Sequence, residues 1–161
     1  MLRVGVITAS DRGYRGERED LSGKVIEEMV KEINGVVEEY KVLPDDLEVI
    51  KKELINMSDK GLDLILTTGG TGLSPRDNTP EATLAVVEKL VPGIPEAMRM
   101  ASLAKTPHAM LSRAVAGIRG KTLIVNLPGS PKGVRENLSV ILPALPHAVE
   151  VLRGEVKDCG K

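Results

Sequence analysis

Short apolar runs alternate with helical stripes along almost the whole chain, and that alternation narrows its fold more than any other feature. Leu2–Ala9 is apolar and rich in β-branched residues, as a buried strand requires. From Leu21 the spacing changes to steps of four, with Leu21, Val25, Met29 and Ile33 on one helical face. Residues 11–19, in between, are polar and glycine-containing and read as a loop. Asn34-Gly35 is a stop, and Val36–Leu43 is a second strand closed by Pro44. Asp46 is set to cap a helix whose stripe is Leu47, Ile50, Leu54 and Met57, ended by Gly61. Leu62–Thr68 reads as a third strand. Thr79 as cap, with Pro80 in the first turn, predicts a helix carrying Leu84, Val87 and Val91 inward, and another helix is expected over Pro95–Leu103. Residues 114–127 read as two strands joined at Arg119-Gly120, too close in sequence to pair any way but antiparallel. Pro131 opens a last stripe of Val134, Leu138, Ile141, Leu145, Val149 and Leu152. Pro143 and Pro146 within it predict a kink or two abutting helices.

This order predicts an α/β fold, a mostly parallel sheet with helices on both faces and a C-terminal antiparallel hairpin strand, as one domain over residues 1–161. The composition removes several function classes. Lys+Arg number 22 against 23 Asp+Glu, so the net charge is −1 and there is no basic nucleic-acid footprint. With no Trp, no Phe and only two Tyr, stacking bases on aromatic side chains is also excluded. No apolar run approaches the length of a membrane span, and the N-terminus begins as a strand and not as a signal peptide, so the expected location is the cytoplasm. The single cysteine, Cys159, allows neither an internal disulfide nor a cysteine cluster, and reads as inert. His108 and His147 lack metal-ligand spacing, and His147 reads as structural. Met98, Met100 and Met110 read as core or subunit-contact residues.

The unusual polar and glycine residues gather after strands. Ser10-Asp11-Arg12 follows the first, Asp45-Asp46 the second, and Thr68-Gly69-Gly70-Thr71-Gly72 with Arg76-Asp77 the third. Asn126-Leu127-Pro128-Gly129-Ser130 closes the last. If these strands are parallel, all four segments share the carboxyl edge, where open α/β sheets bind ligands. The GGTG run can turn its amides toward a phosphate, or it can be a simple turn. Asp45 and Asp77 are not needed as helix caps, so they are two spare carboxylates suited to Mg²⁺ that carries phosphates. Arg12, Arg76, Arg113 and Lys132 near the rim point to an anionic ligand, with Ser112 adding a hydroxyl. Asp20 and Ser22 fit ligand contact and turn or cap chemistry equally well.

The segments VGVITASDR at 4–12, TTGGTG at 67–72, PRDNTPEAT at 75–83, AMLSRAVAGIRGKTLIVNLPGSP at 109–131 and LPALPHAVEVLRG at 142–154 resemble the molybdenum-cofactor biosynthesis proteins of the MogA/MoaB family, whose plant and animal relatives include the corresponding domain of gephyrin. The resemblance implies a three-layer α/β/α domain, assembled as a homotrimer. It implies transfer of AMP from Mg-ATP to the terminal phosphate of molybdopterin with release of pyrophosphate, and hand-over of the product to a separate molybdenum insertase. By motif, Asp45 and Asp77 stand for the catalytic, metal-associated carboxylates. Gly69, Gly70, Thr71 and Gly72, with Ser10, Asp11 and Thr68, stand for the nucleotide and phosphate contacts, joined by Asn126, Pro128, Gly129 and Ser130 of the LPG loop. Arg76, Ser112 and Arg113 fall on the substrate side. Asn78 and Ser130 depart from the residues more usual in the family, and neither departure removes a group the chemistry needs. The competing reading is a molybdopterin-binding carrier or assembly module without catalysis.

Overall fold

In the computed structural model, which describes residues 1–155, six strands form one sheet in the order β2-β1-β3-β6-β5-β4. The strands are β1 (Leu2–Ala9), β2 (Gly35–Leu43), β3 (Leu64–Thr68), β4 (Lys89–Leu90), β5 (Ala116–Arg119) and β6 (Thr122–Leu127). β2, β1, β3 and β6 run parallel; β5 and β4 run antiparallel to their neighbours. The helices are α1 (Asp11–Tyr14), α2 (Leu21–Met29), α3 (Leu47–Asp59), α4 (Thr79–Val86), α5 (Gly93–Leu103), α6 (Pro131–Ile141) and α7 (Leu145–Arg153). None of the helices is long and apolar enough to cross a membrane, among the described residues.

Successive strand residues point to opposite faces, so each central strand feeds two cores. Val4, Val6, Leu64, Leu66, Leu123 and Val125 pack under α2, α5, α6 and α7. Ile7, Ile65 and Ile124 pack under α3 and α4 with Ile50, Leu54, Met57, Ala82 and Val86. The result is three layers, α/β/α. The aliphatic composition suits this: branched side chains of similar size interdigitate between flat layers without large rings.

The structure moves several boundaries. Residues 11–19 are not all loop: Ser10 accepts from the Gly13 amide and starts the single turn α1. Leu21 is exposed at the start of α2, and the helix stops at Met29, where a 3-10 turn runs to Ile33 and Asn34 takes a left-handed φ of 59°. β3 starts at Leu64; Leu62 is still buried, in the core under α3 and α4. Asn78, not Thr79, holds the cap position of α4 and makes no side-chain bond there. Leu84 faces solvent, α4 ends at Val86, and Val87 and Val91 pack inward from outside it. Between them lies β4, a two-residue edge strand too short to leave a period in the sequence. A 3-10 turn over Pro107–Leu111, capped by Thr106, also went unforeseen. The hairpin turn falls at Gly120-Lys121, one residue later than expected. At Pro143 the last stripe does break, into α6, a short 3-10 turn and α7. Met98 is core, whereas Met100 and Met110 are exposed, and His147 is half exposed beside Glu150. Cys159 lies outside the described residues.

At the amino edge of the sheet one cluster ties the start of β1 to the end of α7. Asp63 accepts from the Arg3 amide at 2.8 Å and from Arg153 at 3.0 and 2.5 Å, and Arg153 also reaches the Met1 carbonyl at 2.8 Å. Burial pushes the Asp63 carboxyl up, but the Arg153 guanidinium and the Arg3 amide outweigh it and hold it below the usual carboxylate value. A depressed carboxylate stabilises the fold above its unfolded value and loses that contribution as pH falls through the folded one. Asp63→Asn is therefore expected to lower unfolding free energy by about 2 kcal/mol at pH 7. The gap to wild type should close below about pH 4, which denaturant titrations across pH will read.

Candidate active site

Because β1, β2, β3 and β6 are parallel, the segments after them meet at one edge, around a hollow of about 620 Å³. Ser10, Asp45, Thr68, Gly69, Gly70, Asp77, Gly129 and Ser130 all line it, so eight of the predicted site residues come together. The rest do not face it. Thr71 is buried, with its carbonyl taking the Arg113 amide at 3.0 Å. Asn126 is fully buried, donating to the Thr67 and Thr83 hydroxyls at 3.0 Å each and accepting from the Val115 amide at 3.1 Å. It cross-braces strand ends. Ser112 and Pro128 line a second hollow of about 380 Å³, with Arg99, His108 and Lys132. Ser130 borders both hollows, so they adjoin.

The two carboxylates are held in different ways. Asp46 caps α3 by accepting from the Val49 amide at 3.1 Å, which leaves Asp45 free of that task. Asp45 and Asp11 instead exchange backbone-to-carboxylate bonds: the Asp11 amide donates to Asp45 Oδ2 at 3.0 Å and the Asp45 amide to Asp11 Oδ1 at 2.9 Å. Arg76 grips Asp11 with two nitrogens, at 3.1 and 2.8 Å. Asp11 and Arg76 thus stand behind Asp45. Burial pushes the Asp45 carboxyl above its usual value, the Asp11 amide opposes this, and the charges of Asp11 and Asp77 add to the rise. Asp77 Oδ2 accepts from the Ser74 amide at 3.0 Å.

The glycine loop fits against both carboxylates. Gly69 and Gly70 have φ of +93° and +70°, the left-handed region in which residues with a Cβ are strained. At Gly72 the φ is ordinary and closeness is the constraint: a side-chain carbon there would lie 2.9 Å from Asp77 Oδ2. Two helices also begin at the hollow. Asp20 caps α2 through the Gly23 amide, and Ser130 caps α6 through the Gly133 amide. Helix N-termini and loop amides together favour anions. The LPG loop is clamped by two hydroxyls, with Thr68 donating to the Pro128 carbonyl at 2.5 Å and Ser22 to that of Gly129 at 2.6 Å.

Asp20 and Ser22 therefore both cap or clamp and line the hollow. The residue the sequence reading missed is Tyr40. Its hydroxyl bonds the Asp20 carboxylate, which Thr8 also meets at 2.7 Å. Burial pushes the phenol up and the Asp20 bond adds to that, so it stays a neutral donor. No local motif marks it, because the partner is 20 residues away.

No group of three or more His, Cys, Asp or Glu arranged to hold a metal exists among the described residues. The donors at the hollow are two carboxylates beside an amide-rich loop. That set fits Mg²⁺, which takes one or two carboxylates and completes its shell with water and phosphate oxygens.

The family described as "Probable molybdopterin binding domain" matches residues 5–147. A Helicobacter pylori protein named molybdopterin adenylyltransferase is 49% identical over 156 residues, 95% of this chain and 89% of the relative. Gephyrin of Dictyostelium discoideum is 46% identical over 165 residues, 96% of this chain and 23% of that longer protein. The crystal structure of the molybdopterin biosynthesis enzyme MoaB from Thermus thermophilus superposes with a TM-score of 0.91 at 54% identity, over 96% of this chain and 98% of that one.

Arg113 holds the segment between the glycines and Asp77. Its guanidinium donates to the Gly72 carbonyl at 2.8 Å, the Asp77 carbonyl at 2.7 Å and Glu81 Oε2 at 2.6 Å. Arg113→Leu is expected to lower stability by about 2 kcal/mol. It should also speed amide exchange across residues 71–77 while the strands stay protected, which hydrogen-exchange mass spectrometry will resolve.

Proposed function

This chain belongs to the molybdenum-cofactor biosynthesis family of probable molybdopterin-binding domains, and on that premise we infer that it is a molybdopterin adenylyltransferase. AMP passes from ATP to the terminal phosphate of molybdopterin. An oxygen of that phosphate attacks the α-phosphorus of ATP in line, a new P–O bond forms, and the bond to the β-phosphate oxygen breaks. Adenylylated molybdopterin and pyrophosphate leave. The nucleophile is already an anion, so no general base is required, in keeping with a hollow that no histidine lines.

The observation that carries the reading is one wall. Asp45 and Asp77 line the same hollow as Gly69 and Gly70, and a second hollow opens beside it at Ser130. Two polyanionic substrates can meet at that junction. In this reading the loop amides and the N-termini of α2 and α6 bind phosphate oxygens. Asp45 and Asp77 hold Mg²⁺, which supplies positive charge against the phosphates when bound. Asp11 and Arg76 fix Asp45, and Arg113 fixes the approach to Asp77. Arg18, on the wall of the first hollow, is a cation available to the pyrophosphate. Ser112, Arg99 and Lys132 border the second hollow, where the pterin is assigned. Holding both substrates in line supplies much of the acceleration.

The same reading carries a homotrimer, hand-over to an insertase and a cytoplasmic setting. Support for assembly is apolar surface: Met100, Leu103, Met110 and Leu111 are all exposed on or near α5.

The test is pyrophosphate release from Mg-ATP with and without molybdopterin. Release that requires molybdopterin is expected. Tight molybdopterin binding with no release would instead make the chain a carrier. Asp77→Ala should keep the melting temperature within a few degrees and slow release at least about 100-fold. A variant with the wild-type rate removes Asp77 from the site.

A further inference from the structure

We propose that the Thr79 hydroxyl is a positioning group for Asp45, and that the chain keeps it buried without a partner for that purpose. The proposal rests on the role given to Asp45 above. Thr79 is the first residue of α4, just after Asp77-Asn78, and is 0% exposed. Its amide donates to the Gly70 carbonyl at 3.2 Å, and its carbonyl accepts from the Thr83 hydroxyl at 2.9 Å. Its own Oγ1 is sealed from solvent and has no partner. Buried hydroxyls are nearly always bonded, so an orphan calls for a reason. Among the described residues only Glu81 Oε1 shares this condition, and the other oxygen of that carboxylate is held by Arg113.

The orphan lies behind the glycine loop that lines the proposed site. The space a side chain at Gly70 would fill is bordered by Thr79 Oγ1 and by Asp45 Oδ1, the latter 3.4 Å from the would-be carbon. Gly70 thereby keeps open a gap that Thr79 Oγ1 and Asp45 Oδ1 share. Asp45 is pinned on one side only: Oδ2 takes the Asp11 amide, and Oδ1 has no donor among the described residues. A carboxylate held by one oxygen can still turn about its Cβ–Cγ bond. The two oxygens are not bonded in this structure; a turn of the Asp45 carboxyl toward Thr79 would let the hydroxyl, whose hydrogen rotates to suit its partner, hold the second oxygen and set the plane of the group. Thr79 thus acts through Asp45 and does not touch substrate.

Thr79→Val tests this, because it keeps the branched shape and removes only an oxygen that bonds nothing in the fold. If the hydroxyl were there for stability, its loss would lower the melting temperature. We expect the melting temperature to stay level or rise by about 2–4 °C. Molybdopterin-dependent turnover should fall at least about tenfold. Mn²⁺ affinity in the presence of ATP, read by electron paramagnetic resonance, should fall severalfold. Thr79→Ser should restore both. Wild-type turnover and Mn²⁺ affinity in Thr79→Val would overturn the proposal. So would a lower melting temperature that Thr79→Ser does not repair. Should the wild type release no pyrophosphate, the transferase reading fails while the Mn²⁺ titration still decides Thr79. A wild type that also binds no Mn²⁺ overturns both.

Discussion

Parallel pairing of β1, β3 and β6 is the constraint from which the rest follows. Val4–Thr8 pairs with Leu64–Thr68, and Leu64–Thr68 with Leu123–Leu127, without a break in register. Thr8, Thr68 and Leu127 therefore end at one level, and Ala9 pairs with Leu43 of β2 beside them. Every loop that leaves this edge starts from the same line. The strands also turn polar there: Thr8, Thr67, Thr68 and Asn126 are buried hydroxyl and amide groups in otherwise aliphatic strands. Their bonds run sideways, from Asn126 to Thr67 and Thr83, from Thr68 to Pro128, and from Thr8 to Asp20. An apolar sheet thus carries a polar rim that is braced before any ligand arrives.

Those braces separate two kinds of residue that look alike in a sequence. Asp11, Arg76, Arg113 and Asn126 read as ligand contacts from the family motif and from their place near the strand ends. In the structure their polar atoms are spent on the protein. Asp11 holds Asp45, Arg76 holds Asp11, Arg113 holds the chain leading to Asp77, and Asn126 holds strand ends. A motif records that a residue type is required near a site and does not record whether its side chain faces the ligand or the scaffold. That difference depends on partners 34, 65 or 36 positions away, as for Asp11, Arg76 and Arg113.

Legibility followed the length of the signal. The stripe of α3 and the apolar run of β1 are long enough to read, and the layers they imply are the layers observed. Pro143 announced its own break because proline removes a helical donor. β4, with two residues, repeats nothing. α4 misled because Leu84 matched the helical period yet faces solvent. The rim was readable for a different reason: four polar clusters after four strands converge if those strands are parallel, and the alternation of strands with helices had pointed to a mostly parallel sheet. Tyr40 and Thr79 stayed hidden. One lay inside the second strand with no motif around it and the other read as a helix cap, and their importance lies in a phenol bonded to Asp20 and an oxygen with no partner.

The charges at the hollow restrict what it can hold. Its charged side chains are Arg18, Glu19, Asp20, Asp45 and Asp77. Glu19 is engaged by Lys24 at 3.2 Å, and Asp20 takes donors from Thr8, Gly23 and Tyr40. Bonds from neutral donors leave the charge of Asp20 in place, so three carboxylates face one guanidinium. Loop amides and helix termini carry only partial charge, roughly half a unit for a helix end. A bare polyphosphate would meet net repulsion from Asp45 and Asp77 at the very wall where the amides attract it. An uncharged ligand would leave the amide cradle unused. Under the function proposed above, an anion that brings its own cation satisfies both halves of the wall, with the cation against the carboxylates and its oxygens against the amides. The glycines make that double contact geometrically available, since a side chain at Gly70 would press on the Thr79 hydroxyl beside Asp45, and one at Gly72 on Asp77 itself, closing the gap between the two halves.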